Sequence, residues 1–114
     1  MVNTFYGVVQ SGFHRGTTLG YPTINIPLND TETSGIFAAR VSLGGRMYRG
    51  AAYADQKNRV LEAYLLDFFD DAYGEKVAIE LCEKIREDMH FDSEEALRAQ
   101  IADDVEKVRT YFKM

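Results

Sequence analysis

Fourteen residues near the start of the chain, Gly12-Phe13-His14-Arg15-Gly16-Thr17-Thr18-Leu19-Gly20-Tyr21-Pro22-Thr23-Ile24-Asn25, combine three glycines, a basic pair and a Pro-Thr-x-Asn exit. Glycine lets a backbone turn through positive φ and approach another group closely. Pro22 fixes the chain where it leaves the loop, so Thr23 and Asn25 present their oxygens in a set direction. Successive N–H groups of such a loop form a concave donor surface for phosphate oxygens, and Arg15 can add a charge-assisted hydrogen bond. The chemistry expected here is capture of an anion or a metal–phosphate complex, with Gly12, His14, Arg15, Gly16 and Gly20 on the phosphate side. A Gly-rich connection between two strands is the plainer alternative.

Glu62 is the second residue of chemical interest. By strand alternation it shares a face with Val60, Tyr64 and Leu66, where desolvation would raise its pKa and make it a proton acceptor near neutral pH. The alternative is an outward face and a solvated carboxylate. Arg86 and Phe91 offer a cation and an aromatic face directly after the last expected strand, a pair able to grip a planar ligand; a solvated Arg and a core Phe is the other reading. Asp67, Asp70 and Asp71 could hold a hard cation, but their Gly-terminated setting favours a turn. His14 and His90 have no Cys or second His at ligand spacing, so no zinc site is expected. Cys82, beside Ala78, is expected to be a passive thiol.

The elements that must position these groups are mostly strands. Thr4 to Gln10 alternates, with Phe5, Gly7 and Val9 on one side. Pro27 to Ser34 is polar and turn-rich and is expected on the surface. Gly35 to Leu43 alternates clearly, Gly44-Gly45 is a two-residue hairpin signal, and Arg46 to Tyr53 should return antiparallel. Asp55 to Asn58 breaks the pattern, Arg59 to Asp67 resumes it, and Phe68 to Gly74 turns the chain. Glu75 to Ile85 should follow with Val77, Ile79, Leu81 and Ile85 on one face. From Asp92 the period becomes helical: Asp92 with Glu95 resembles a capping arrangement, and Leu97, Ile101, Val105, Val108 and Phe112 recur on one stripe. Strands joined by hairpins and followed by one helix exclude a βαβ protein and predict a small closed antiparallel barrel flanked by the helix.

Composition narrows the function classes. At 114 residues and 46% hydrophobic content the chain is expected to be one domain with its own core. A formal net charge of −5 argues against a general nucleic-acid binder, which would neutralise phosphates with Lys and Arg. A single cysteine excludes an internal disulfide, and no apolar run approaches a membrane span. Asn3, Thr4 and Gly7 interrupt the only apolar stretch that could begin a secretory signal. A soluble, cytoplasmic protein with no membrane contact is therefore expected.

Taken together, these residues resemble the riboflavin kinase family, either the stand-alone enzyme or the kinase domain of bifunctional riboflavin kinase/FAD synthetase. The likeness runs through Gly12-x-x-Arg15-Gly16-x-x-Leu19-Gly20-x-Pro22-Thr23-x-Asn25, Gly35-Ile36-Phe37-Ala38-Ala39, Glu62-x-x-Leu65-Leu66-Asp67-Phe68 with Tyr73-Gly74, and Arg86 with Phe91 and Asp92-Ser93. It implies a mainly β fold, a closed six-stranded antiparallel Greek-key barrel with one C-terminal helix, over residues 1–114. It also implies transfer of the ATP γ-phosphate to the ribityl 5′-hydroxyl of riboflavin, giving FMN and ADP. On this resemblance Thr23 and Asn25 bind Mg2+ and the nucleotide phosphates, Glu62 is the base, and Arg86 and Phe91 belong to a mobile flap over the flavin. The chain would be a complete enzyme or an excised domain of a bifunctional FAD synthetase. It departs from the family at Ile24, where Ala is usual, at Tyr64, where His is usual, and at Ala54 to Asn58, which replaces a longer Asn-x-Gly-x-x-Pro-Thr segment. A diverged barrel that binds a flavin or nucleotide without phosphorylating it is the competing expectation.

Overall fold

The computed structural model of the chain describes residues 3–10, 20–68 and 72–114. Its strands are β1 (Asn3–Val8), β2 (Ile24–Pro27), β3 (Gly35–Leu43), β4 (Arg46–Asp55), β5 (Val60–Leu65) and β6 (Lys76–Arg86), followed by one helix, α1 (Glu94–Phe112). All described pairings are antiparallel, and the strands form one sheet in the order β1-β6-β3-β4-β5-β2. The alternation of Gly35 to Leu43 places β3 where the sequence predicts it, and Gly44 and Gly45 turn the chain with φ of +59° and +79°. Two successive positive φ values match the twist of the flanking strands.

The sheet rolls up on its own apolar face. Ile26, Leu28, Val41, Leu61 and Ile79 are among its largest fully buried side chains, each stabilising the fold by about 1.5–3 kcal/mol relative to an exposed position. Leu28 corrects the expectation of a wholly surface connection from Pro27 to Ser34. Pro27 ends β2, and Leu28 sits in the core with its N–H bonded to Arg59 O at 2.9 Å. The outermost strands, β1 and β2, meet through one antiparallel bridge, where Gln10 N–H donates to Asn25 O at 2.8 Å. Gly7 permits this approach, since a Cβ there would lie 2.9 Å from Ile26 Cβ. The barrel is thus nearly closed, where a fully closed one was expected.

Strand β6 departs from simple alternation. Its register against β3 shifts between Ala38 and Ala39 and again between Ile36 and Phe37, so β6 carries extra residues at two points and bends. Val77, Ile79 and Leu81 face the barrel interior, whereas Ile85 packs in a second cluster with Ala38, Leu66, Val105 and Val108 beneath α1. The expected common face of Val77, Ile79, Leu81 and Ile85 is therefore split. Arg86 is the last residue of β6 rather than part of the connection after it. Helix α1 is capped by Ser93, not Asp92: Ser93 Oγ accepts from Ala96 N–H at 3.1 Å, an arrangement that contributes about 1 kcal/mol. No described helix is long and apolar enough to cross a membrane.

Candidate active site

The barrel register places the candidate residues in one line. Asn25 on β2 lies opposite Glu62 on β5, Glu62 opposite Tyr53 on β4, Tyr53 opposite Ile36 on β3, and Ile36 opposite Arg86 on β6. Directly opposed residues project from the same side of a sheet. For Glu62 that side is the outer face, because its neighbours Leu61 and Ala63 fill the interior. The outer face is not open water here. Helix α1 and the connection over residues 87–93 cover it and leave a cavity of about 690 Å³, whose lining includes Thr23, Tyr53, Glu62, Arg86, Phe91 and Ile101. This volume falls in the range of small-molecule sites.

At one end of the row, Thr23 Oγ1 donates to Glu62 Oε1 at 3.1 Å. Burial pushes the Glu62 carboxyl above its ordinary value; the Thr23 hydrogen bond lowers it and the nearby Asp55 charge raises it further. Glu62 thus faces away from the barrel core yet is desolvated. Both sequence alternatives were half right, because a second layer covers the outer face. Next to it, Asn25 is 6% exposed, and its Oδ1 has no hydrogen-bond partner among the described residues. An unsatisfied buried acceptor costs about 1–3 kcal/mol unless a ligand satisfies it. Thr23 Oγ1 donates its one proton to Glu62 and keeps its lone pairs. Two neutral oxygens beside a carboxylate suit a hard cation that brings further oxygens with it. Among the described residues there is no group of three His, Cys, Asp or Glu able to hold a metal by itself.

The other end of the row is apolar and aromatic with one fixed cation. Arg86 Nε and Nη2 donate to Asp104 Oδ1 and Oδ2, each at 2.8 Å, and the guanidinium lies 5.8 Å from the Phe91 ring centroid. Gln100 Nε2 adds a hydrogen bond to Asp104 at 3.1 Å. Sequence reasoning missed Asp104, although an acid on the Ile101, Val105 and Val108 stripe was the available signal. It also missed Tyr53, whose hydroxyl donates to Asp88 Oδ2 at 2.9 Å and whose phenol is pushed up by burial. Tyr64, where a His is usual in the resembled family, packs edge-to-face on Tyr21 at 5.3 Å. Gly20 lies before β2 with φ +89°. Gly12, His14, Arg15 and Gly16 lie outside the described residues, as do Asp70 and Asp71.

A small antiparallel barrel with a carboxylate–hydroxyl pair at one end of a cavity and an aromatic–guanidinium wall at the other defines a class: a β-barrel with a small-molecule-sized cavity, polar at one end and aromatic at the other. The chain belongs to the riboflavin kinase family, whose model matches residues 2–112. It is 34% identical over 116 residues to the bifunctional riboflavin kinase/FMN adenylyltransferase of Haemophilus influenzae, covering 94% of this chain and 38% of that protein. A solved riboflavin kinase from Trypanosoma brucei superposes with a TM-score of 0.70 at 26% identity, covering 98% of this chain and 78% of that one. A solved structure from Streptococcus pneumoniae described as a macrolide-efflux protein gives a TM-score of 0.81 at 31% identity, covering 93% of this chain and 38% of that one. The chain therefore spans well under half the length of the bifunctional relative.

Proposed function

We propose that this chain transfers the γ-phosphoryl group of ATP to the ribityl 5′-hydroxyl of riboflavin. The bond from the γ-phosphorus to the β,γ-bridging oxygen breaks, a bond to the ribityl oxygen forms, and the hydroxyl proton passes to Glu62, giving FMN and ADP. The single observation that carries this reading is the Glu62–Thr23 hydrogen bond in the wall of the cavity under α1. Phosphoryl transfer asks for positioning and charge stabilisation, with a carboxylate to orient the attacking hydroxyl. Desolvation of Glu62 makes it a stronger base than a solvated glutamate.

In this reading Thr23 and Asn25 hold Mg2+ with the nucleotide phosphates, and the partnerless Asn25 Oδ1 supports that assignment. Such an ion, when bound, would neutralise charge on the phosphates. Gly12, His14, Arg15, Gly16 and Gly20 would line the phosphate side. Arg86 and Phe91 would receive the ring system of the flavin. Asp104 already engages the Arg86 charge, so Arg86 would act through its planar face. We take residues 1–114 as one riboflavin kinase domain, its nearly closed sheet corresponding to the family's closed Greek-key barrel. A cytoplasmic setting, and a place beside an adenylyltransferase in a longer chain, belong to the same proposal. Incubating the purified chain with riboflavin and MgATP and separating flavins by chromatography tests it. FMN and ADP in equal amounts are expected, and unchanged riboflavin would defeat the reading.

A further inference from the structure

The connection over residues 87–93 covers one side of the cavity, yet its backbone does little to hold it there. Among the described residues, 87–92 make no backbone–backbone hydrogen bond with another element. Side chains hold the segment instead, and β6, the strand it leaves, supplies several of them. Lys84 Nζ lies 2.6 Å from Glu87 Oε1, Arg86 Nη1 donates to Glu87 O at 3.0 Å, and the Arg86 guanidinium lies 5.8 Å from the Phe91 ring centroid. His90 pairs with Asp92 inside the segment at 3.3 Å. One hydrogen bond among the described residues reaches it from a different strand: Tyr53 on β4 donates its O–H to Asp88 Oδ2 at 2.9 Å.

Asp88 is suited to pass that bond on. Its other oxygen, Oδ1, accepts from Met89 N–H at 2.8 Å, so one carboxylate joins the backbone of the segment to the barrel wall. A hydrogen bond to an ionised acceptor is stronger than one between neutral groups. Burial first, and then the Asp88 hydrogen bond, push the Tyr53 phenol up, so it keeps its proton and stays a donor at neutral pH. Tyr53 also stands directly opposite Glu62 in the β4–β5 pairing and lines the cavity with it. The segment is therefore anchored on the wall that carries the carboxylate. We propose that Tyr53 is a positioning residue: through Asp88 it holds residues 87–93, and with them Phe91, against the cavity, so that a ligand at the aromatic end leaves when this bond opens. The effect on riboflavin rests on the riboflavin kinase reading of the site. One partly exposed hydrogen bond suits this work, because it biases a segment towards the closed position and still opens within a turnover.

The test compares the whole chain with Tyr53→Phe, Asp88→Ala, Asp88→Asn and the double variant of Tyr53→Phe with Asp88→Ala. Amide hydrogen exchange is followed without ligand, riboflavin release by stopped-flow fluorescence, and KM for riboflavin and MgATP by FMN formation. Tyr53→Phe keeps the ring and removes only the donor. It should speed exchange at residues 87–92 and riboflavin release by about fivefold each, the scale of one net hydrogen bond. Riboflavin KM should rise while MgATP KM holds. Asp88→Asn, which keeps an acceptor for the phenol, should stay nearer the parent than Asp88→Ala, and the double variant should be no worse than Asp88→Ala alone, because both changes break one bond. Parental exchange at 87–92 and parental release in Tyr53→Phe overturn the proposal. So does faster exchange spread evenly over the barrel, which would make Tyr53 a residue of the fold alone, or a double variant in which the two losses add. A parent that binds no riboflavin, with exchange in Tyr53→Phe raised at 87–92 only, sinks the flavin reading and supports the Tyr53–Asp88 tie.

Discussion

Glu62 carries a conflict between stability and chemistry that can be measured. Its carboxyl is raised by burial, so the folded state holds the proton more tightly than the unfolded chain does. That favourable contribution is full below the unfolded pKa and is lost as pH rises through the folded one. Replacing the ionised group by a neutral amide, Glu62→Gln, should therefore raise the melting temperature at neutral pH. The gain should shrink as pH falls through the raised Glu62 value, and calorimetry at neutral and acidic pH checks the sign. The proposed catalysis runs the other way, because Glu62 acting as a base must be ionised. Turnover should fall with decreasing pH along a limb lying above the ordinary glutamate range. Thr23→Val removes the hydroxyl that bonds Glu62 at 3.1 Å while keeping the shape. It should abolish nucleotide-dependent turnover and leave the circular dichroism spectrum unchanged; parental turnover would remove Thr23 from the site.

At the scale of elements, the join between β6 and α1 decides whether the cavity has a roof. Two register shifts bend β6, which delivers Ile85 to the helix cluster and Arg86 to Asp104. The Arg86–Asp104 pair leaves side-chain exposures of only 13% and 4%. Removing one partner would strand a buried charge, and such losses run to about 3–5 kcal/mol. Asp104→Ala should accordingly lower stability by about 3 kcal/mol in a urea titration and weaken riboflavin binding more than MgATP binding. Equal losses for both ligands would assign Asp104 to the fold alone. At the opposite seam, Gly7→Ala should lower the melting temperature, because its Cβ would lie 2.9 Å from Ile26 Cβ. A variant as stable as the parent would show that β1 and β2 can separate there without cost. These joins were the least legible elements. The shift between Ala38 and Ala39 has no glycine beside it, and Ser93 outcompetes Asp92 for the cap because its Oγ reaches Ala96 N–H.

Across the whole molecule, strand periodicity made β1, β3, β4, β5 and β6 readable, and the residue types at Thr23, Asn25, Glu62 and Phe91 raised the chemistry proposed for them. Alternation specifies a face but not a neighbour, so the line from Asn25 through Glu62, Tyr53 and Ile36 to Arg86 could not be read before the register was known. For the same reason the sequence left Glu62 balanced between pocket and solvent. Its outer face becomes a cavity wall only once α1 and residues 87–93 fold over it. The central claim is that this wall is where the ribityl hydroxyl loses its proton, and the most direct measurement is the rate of FMN formation from riboflavin and MgATP by Glu62→Gln against the parent. The predicted result is a loss of about 100-fold or more, the scale of a general base, with both substrates still bound. Glu62→Gln forming FMN at the parental rate would contradict it.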